Sequence, residues 1–436
     1  MNNATIIPQL EQKIGMELYL ARTPGVGGKI RQLIDDFYVE EISNIKESKE
    51  GRYLIVELTK RDWDMHHVIR DLSRSLGISQ KRFGWAGTKD KRALTKQKIS
   101  IWDVSEEALE RISLPRVELH AIGRSNKRVA LGDLLGNSFR ITIRGISLSP
   151  GEAEKRVQSI SDEIAQVGGV PNFFGVQRFG TLRPVTHLVG DAIVRGDFEK
   201  AALTYIAKPF PSEPEDVRRA RGYVWETHDF KGGLRLFPRH LRYERAMMNH
   251  LVSNPSDYTG AFRTLSPGLK KLFVHAHQSY IFNKILSRRL QRGLPLNIAM
   301  EGDIVCFANK SGLPDTSRIQ FVSSDNVDGM NRLIERKRAF VTAPIVGYES
   351  QLAKGEPGEI ERIIIDEMRI DLNDFAIPKM PELASSGLRR EVLLSVQPTH
   401  EIENDDLNVG QRKVVLGFSL PKGCYATVVL REYMKL

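Results

Sequence analysis

The amino-acid sequence predicts a mixed α+β fold in which one domain is interrupted by a second, inserted domain. Short strand-like and helical segments alternate up to residue 168, whereas amphipathic, charge-rich helices dominate beyond Thr186. Strand-like runs return after Arg389, as expected when a chain comes back to complete its first sheet. A length of 436 residues also exceeds what one hydrophobic core usually supports. We therefore assign residues 1–168 and 386–436 to a discontinuous domain, and residues 169–385 to the insertion.

The first domain is predicted to start with two strands and a helix. The alternating run that ends at Ile42 and the run Tyr53–Leu58 have the pattern of strands. Residues 65–76 carry apolar side chains at helical spacing and are followed by Gly77, a common helix terminator. The same mixture continues with predicted helices at 105–112 and 151–167 and predicted strands that begin at Val117 and Arg140.

The inserted region is predicted to be helical at first, with a long helix over residues 272–291 and strands within 303–324 and 339–347. Pro378 and Pro381 mark its end. The tail is predicted to form three strands, over residues 391–396, 413–420 and 424–434, because β-branched and aromatic residues are frequent in each.

Composition narrows the function classes. The formal net charge of +10 and the pI near 9.4 favour a polyanionic partner such as nucleic acid. Two distant cysteines cannot form a disulfide framework or a zinc site, and the adjacent His66 and His67 are poorly spaced for a metal. We predict no metal and no cofactor. With no signal-peptide pattern and no run of ~18 apolar residues, we expect a cytoplasmic protein without a membrane span.

One short stretch, Lys81–Ser100, combines seven basic side chains with a single acid, Asp90. The surrounding cations favour the ionised carboxylate, and apolar residues place it just after a predicted strand. A polyanion site with a reactive carboxylate fits this pattern. A basic surface loop whose acid only balances charge fits equally well.

Aromatic residues, Gln and Arg crowd together in a second stretch, Pro171–Gly180. This composition suits base stacking and phosphate contact. A buried aromatic turn is the alternative.

Five segments, at residues 36–41, 86–97, 131–139, 171–180 and 420–432, have a recognisable pattern, and through them the sequence resembles the TruD family of tRNA pseudouridine synthases over most of its length. Residues 86–97 (AGTKDKRALTKQ) are similar to the family motif AGxKDxxAxTxQ, and four further segments occur in the family order. These are Asp36–Glu41 (DFxVxE), Leu131–Phe139 (LGxxxGNxF), Pro171–Gly180 (PNYFGxQRFG, with Phe173 in place of Tyr) and Leu420–Glu432 (LPxGxxATxxxRE). Within the family the sequence looks most like the archaeal branch.

The resemblance implies a pseudouridine synthase catalytic domain, with a mainly antiparallel mixed sheet and flanking helices, interrupted by an α/β TruD insertion domain. It also implies an isomerase that converts a uridine of tRNA, usually at position thirteen in the D arm, to pseudouridine without a cofactor. The expected partner is tRNA, and no protein partner is implied.

By the same resemblance, Asp90 is the catalytic nucleophile or base, Asn137 orients its carboxylate, and Phe139 stacks on the target base. Arg31 pairs with Asp90 or holds a phosphate, and Lys29 is the alternative for that role. From the residues alone, Asp90 also fits a structural ion pair and Phe139 a core aromatic. A salt bridge from Arg31 to Asp35, Asp36 or Glu41 likewise stays open.

Basic residues of the first domain are expected to contact backbone phosphates, which position RNA without specifying its sequence; they are Lys89, Lys91, Arg92, Lys127 and Arg128. Gln177 and Arg178 either bind RNA or brace the junction of the domains. Two rival functions are an RNA-binding or RNA-chaperone protein without catalysis, and an RNA methyltransferase that needs a methyl donor.

Overall fold

The structure, a computed structural model, describes residues 7–436, and the six residues before them, included in the predicted first domain, lie outside this range. The chain divides into two compact units. The sheet unit comprises Leu20–Val170 and Leu394–Leu436, and the helical unit comprises residues 7–19 and Pro171–Leu393. The junctions thus lie at 170/171 and 393/394, compared with 168/169 and 385/386 in the sequence prediction.

The described chain contains strands in both units. In chain order they are β1 (Phe37–Ser43), β2 (Tyr53–Arg61), β3 (Phe83–Trp85), β4 (Leu94–Trp102), β5 (Val117–Ser125), β6 (Leu134–Ile146), β7 (Gly169–Pro171), β8 (Ile304–Ala308), β9 (Pro314–Phe321), β10 (Ala339–Ile345), β11 (Leu388–Glu391), β12 (Leu393–Ser395), β13 (Thr399–Asn404) and β14 (Arg412–Pro421).

The helices follow the same order. They are α1 (Gln9–Gln12), α2 (Met65–Ser75), α3 (Glu106–Glu110), α4 (Pro150–Val167), α5 (Thr186–Val194), α6 (Phe198–Ala207), α7 (Glu215–Thr227), α8 (Phe230–Leu236), α9 (Arg242–Ser253), α10 (Tyr258–Arg263), α11 (Pro267–Gln291), α12 (Val327–Glu335), α13 (Gly355–Glu367) and α14 (Ala426–Met434). Short 3-10 helices lie at Ile34–Asp36, Gln80–Arg82, Val176–Arg178, Leu372–Ala376 and Pro381–Leu383.

The sheet unit is built on one eight-stranded sheet. Its order is β13-β14-β6-β1-β4-β2-β5, with β3 beside β4. The β1–β4 pair is parallel and the other pairs are antiparallel. One face is covered by helix α2, whose Val68 and Leu72 pack with Val56, Leu58 and Ile99 in a fully buried cluster. The helix predicted at 65–76 is therefore present, because its apolar stripe has a sheet to cover.

The tail returns to this sheet, where β14 pairs with both β6 and β13. Its last predicted strand, residues 424–434, is wrong: this segment forms helix α14. All residues of the helix except Thr427 are buried, and its adjacent valines favour a strand on propensity alone. Glu432 within it is fully buried and accepts hydrogen bonds from the backbone N–H groups of Leu20 and Ala21 at 3.0 and 3.1 Å.

The helical unit is organised around α11, a 25-residue helix that begins with a Ser266 cap and Pro267 in its first turn. A four-stranded antiparallel sheet, β11-β10-β8-β9, completes the unit. Residues 7–19 belong here because Asn283 and Ser287 of α11 donate to the carbonyls of Ile14 and Gly15 at 2.9 and 2.7 Å. The sequence prediction places that segment in the first domain instead.

Among residues 7–436, no helix has both the length and the apolar content that crossing a membrane requires.

Candidate active site

The candidate site is built on the β3–β4 loop, residues 86–93, which carries Asp90. The Asp90 side chain is about half exposed, at 51 %. Gly132 of the loop before β6 donates its backbone N–H to the carbonyl of Ala86 at 2.8 Å. The loop is therefore tied at its start while its acid faces solvent, an arrangement that suits a reactive group held by a rigid scaffold.

Buried polar side chains on the sheet hold the loop from beneath. Gln97 of β4 donates to the carbonyl of Gly87 at 3.1 Å. Glu41 of β1 accepts from Lys89 Nζ at 2.7 Å. A third such side chain, Lys60 of β2, donates to the Asp90 carbonyl. Because the three strands are neighbours in the sheet, the loop is fixed at three successive points.

The environment of Lys89 corrects its predicted role. We expected a phosphate contact, but the residue is 7 % exposed and its ammonium is paired with the buried Glu41 carboxylate. An ammonium buried in this way cannot reach a phosphate without leaving its partner uncompensated, which is costly. Lys89 is therefore an internal brace of the loop.

Arg31 is the partner of the Asp90 carboxylate. Its Nη2 lies 2.6 Å from Asp90 Oδ2, and its guanidinium carbon lies 4.1 Å from the centre of the Phe37 ring. The backbone at Arg31 is left-handed, with φ of 60°, and its carbonyl accepts from Arg92 Nη2 at 3.2 Å. Such a conformation is unfavourable for a residue with a Cβ, so surrounding contacts must maintain it.

The other acids considered for Arg31 have different cationic partners. The pairs are Asp35 with Arg61, Asp36 with Arg144, and Glu41 with Lys89. Of the roles left open by the sequence, the structure thus shows the pairing with Asp90.

Asn137 lies on β6 directly opposite Glu41 and points to the face of the sheet that carries the loop. Its Oδ1 atom is buried and has no hydrogen-bond partner among residues 7–436. A carboxylate accepts hydrogen bonds, so an orienting bond to Asp90 would be donated by Nδ2 of Asn137, and this bond stays a prediction. Asn137 is the cross-strand neighbour of Glu41, whose carboxylate holds Lys89.

Phe139 lies two residues further along the same face, opposite Val39 and Phe418. Only 9 % of it is exposed, because it stacks on Phe418 at 5.5 Å and meets Phe37 edge-on at 6.4 Å. Phe139 is thus a core aromatic residue, and it is also linked to the loop by contacts. Contacts run without a break from Asp90 through Arg31 and Phe37 to Phe139.

The remaining predicted phosphate contacts of the sheet unit are exposed; they are Lys29, Lys91, Arg92, Lys127 and Arg128. Arg128 also donates to the carbonyl of Phe83, and Lys29 pairs with Arg144 through its backbone, at 2.7 and 2.8 Å. Gln177 and Arg178 belong to the helical unit, where Arg178 Nε donates to Ser279 Oγ at 3.2 Å.

Comparison with known proteins shows the family of this chain. The family model described as tRNA pseudouridine synthase D (TruD) matches residues 13–433. The chain belongs to the TruD family. The family prediction made from the sequence is confirmed.

Relatives of this TruD-family chain cover it almost completely. A probable tRNA pseudouridine synthase D of Methanococcoides burtonii is 58 % identical over 436 residues, which cover 100 % of this chain and 99 % of the relative. That of Halobacterium salinarum is 40 % identical over 98 % of this chain and 97 % of its own. A crystal structure of the putative enzyme from Methanosarcina mazei matches with a TM-score of 0.90 and 58 % identity, covering 99 % and 98 % of the two chains. The predicted fold class is confirmed.

The structure also contains a cluster of one arginine and three acids that could not be predicted from the TruD motifs. Arg144 of β6 is buried and contacts three carboxylates, Asp36 at 2.7 Å, Asp405 at 2.8 Å and Asp406 at 2.9 Å. Burial opposes the ionisation of Asp405, but hydrogen bonds led by that of Asn408 outweigh it and keep its pKa well below the ordinary value. Hydrogen bonds from Lys413 and Arg144 similarly lower the pKa of Asp406. This cluster fixes the chain just after Arg31.

Proposed function

We propose that this chain is a tRNA pseudouridine synthase in which Asp90 is the catalytic carboxylate. The observation that carries the proposal is the continuous contact path from a half-exposed Asp90 through Arg31 and Phe37 to Phe139. It brings a carboxyl group paired with a guanidinium and an aromatic ring to the same face of one sheet. This pairing suits an enzyme that must act on a ribose while it holds a planar base.

The proposed reaction conserves atoms and oxidation state. The bond from ribose C1′ to uracil N1 breaks while Asp90 either adds to C1′ or takes a proton from C2′. The uracil then turns and C5 bonds to C1′, while the bond between Asp90 and C1′ breaks or the proton returns from Asp90 to C2′. The C5 proton passes to solvent, and N1 gains a proton. Since no electrons are exchanged with another molecule, we propose that no cofactor is needed.

We propose the uridine at position thirteen, in the D arm, as the target. That nucleotide must leave its stack because neither C1′ nor C5 can be reached inside a helical arm. Phe139 is then the stacking surface, and the ring must be uncovered from Phe418 as the base enters. We propose a cytoplasmic enzyme whose partner is tRNA and which needs no protein partner.

The experiment that tests this function measures tritium release from tRNA labelled at uridine C5, using extensively dialysed protein. Release without any additive supports isomerisation. No release, with tight tRNA binding, would favour the RNA-chaperone alternative, and release only after a methyl donor is added would favour the methyltransferase. A tRNA carrying cytidine at position thirteen should show no release from that position.

Salt dependence provides a separate prediction for the exposed basic residues. The double variant Lys91→Ala, Lys127→Ala is expected to bind tRNA more weakly and to flatten the plot of log Kd against log salt, by roughly 0.7–0.9 in slope for each phosphate that the variant no longer neutralises. Filter binding at several salt concentrations measures this slope. Lys155→Ala, an exposed lysine on α4, is the control. An unchanged slope in the double variant contradicts the phosphate assignment.

The stacking role of Phe139 predicts a separation of rate from affinity. Phe139→Leu keeps most of the buried volume but removes the flat ring, so the single-turnover rate should fall by roughly 5- to 150-fold, the equivalent of 1–3 kcal/mol of base stacking. The Kd for tRNA should change by less than about twofold. Phe418→Leu alters the same aromatic cluster and serves as the control. Equal losses in both variants would indicate packing in place of stacking.

A further inference from the structure

Lys60 is a buried lysine that the proposed chemistry does not yet use. It lies on β2 with 0 % exposure, and its Nζ donates to two main-chain carbonyls, Trp63 at 2.8 Å and Asp90 at 3.0 Å. Lysine is almost never fully buried unless its charge is compensated. Here the hydrogen-bond partners are neutral carbonyls, so burial of the ammonium is energetically unfavourable and other contacts must maintain it.

The two carbonyls belong to different segments. Trp63 precedes helix α2, and Asp90 lies on the β3–β4 loop. The backbone N–H of Asp62 also donates to the carbonyl of Ala93 at 3.2 Å, so the same two segments meet again at the end of the loop. Lys60 therefore joins the start of a packed helix to the residue that carries the carboxylate.

The register of the sheet places Lys60 in line with the aromatic end of the site. Lys60 is opposite Thr95, Thr95 is opposite Val39, and Val39 is opposite Phe139. At about 4.8 Å between neighbouring strands, this row spans roughly 14 Å. Lys60 thus lies at one end of this row and Phe139 at the other, both on the face of the sheet that carries the loop.

We infer that Lys60 is a positioning residue for the isomerisation: by holding the Asp90 carbonyl, it fixes the backbone from which the catalytic carboxylate projects. This inference rests on the proposed function. The position of a catalytic group strongly affects the rate, because a displacement of that group by about 1 Å can lower the rate by about 100-fold.

The titration of Lys60 supports this assignment. Burial lowers its pKa to about 8, the nearby negative charges of Asp90 and Asp64 partly offset that effect, and the positive charge of Lys89 adds to it. The ammonium therefore loses its proton as the pH rises through about 8. Its hydrogen bonds to the two carbonyls are then no longer assisted by a charge and become weaker.

The test compares Lys60→Met with the unaltered protein in single-turnover tritium release, tRNA binding and thermal unfolding. We expect the rate of Lys60→Met to fall by about 10- to 100-fold at pH 7, with a tRNA Kd within about twofold. The unaltered protein should lose rate above pH 8, whereas Lys60→Met should show no inflection there. A residue that only supports the fold would not remove an inflection from the pH profile.

Lys96→Met is the matched control, because Lys96 projects from β4 on the opposite side to Thr95 and Gln97 and pairs there with Glu57 at 3.0 Å. It should retain both the rate and the pH profile. Lys60→Gln, which keeps one amide donor group, should give an intermediate rate and serves if Lys60→Met does not fold.

A rate for Lys60→Met or Lys60→Gln within twofold of the unaltered protein overturns the inference. So does a rate loss matched by an equal loss of affinity, or an unaltered protein without the inflection near pH 8. If the unaltered protein itself releases no label, the proposed function fails first, and the two failures are thereby distinguished.

Discussion

Asp90→Asn is expected to lower the single-turnover release of C5 tritium by about 1,000-fold or more, a loss of roughly 4 kcal/mol in transition-state stabilisation. The asparagine amide matches the carboxylate in size but neither adds to a ribose carbon nor takes its proton. The pair between Arg31 and Asp90 is partly exposed, at 25 % and 51 % of the two side chains. Its removal should therefore cost at most about 1 kcal/mol of stability.

The folded state and tRNA affinity of Asp90→Asn should accordingly change little. Asp35→Asn provides the control, since Asp35 is a similarly exposed acid that pairs with Arg61 at 2.9 Å. Normal label release from Asp90→Asn would falsify the catalytic assignment. A loss of folding in Asp90→Asn but not in Asp35→Asn would instead make the carboxylate a structural group.

Arg144→Met is expected to give the largest loss of stability, about 3–5 kcal/mol in the free energy of unfolding of the sheet unit. The reason is that Asp36 and Asp405 are buried, at 2 % and 5 % exposure, and would lose the guanidinium that compensates their carboxyl groups. Thermal or urea unfolding followed by circular dichroism measures the change. Arg140→Met, an exposed arginine on the same strand that pairs with Glu401 at 3.5 Å, is the control and should change stability little.

The pH dependence of that loss has a definite sign. In the folded protein the pKa values of Asp405 and Asp406 are held below their ordinary values. Their contribution is thus present above the unfolded pKa of about 3.9 and disappears as the pH falls through the lower folded values. The difference between Arg144→Met and the unaltered protein should narrow below about pH 4. A constant difference from pH 7 to pH 3 would show that packing, and not charge, is lost.

The spacing of apolar residues along the sequence predicted the helices and strands that have one buried face and one exposed face. Helix α2 was predicted because its apolar stripe covers a sheet and its other side meets solvent. Helix α14 was missed because it is buried all round, and its valines then favour a strand on propensity alone. The attachment of residues 7–19 to α11 has no local signature, since its bonds join residues about 270 positions apart.

Residues of the candidate site could be predicted where a family motif contains them. The role of a side chain could not be predicted where its burial determines that role. Asp90 and its possible partner Arg31 follow from the family motifs. Lys89 belongs to the same motif, but its charge is paired with Glu41, which only the folded sheet reveals. Lys60 lies next to the last residue of β2 and has the sequence context of a surface residue, yet it is fully buried. Arg144 meets acids 108 and 261 residues away, beyond the reach of any local pattern.

The position of β14 between β13 and β6 in the first sheet has a consequence for synthesis on the ribosome. Residues 171–393 are contiguous and precede β14, so most of the helical unit can condense while translation continues. Until β14 emerges, one edge of β6 has no neighbour, and an open edge invites pairing with other chains. The nascent protein therefore passes through a stage in which its first sheet is incomplete, and premature termination before β14 is complete should leave an aggregation-prone product.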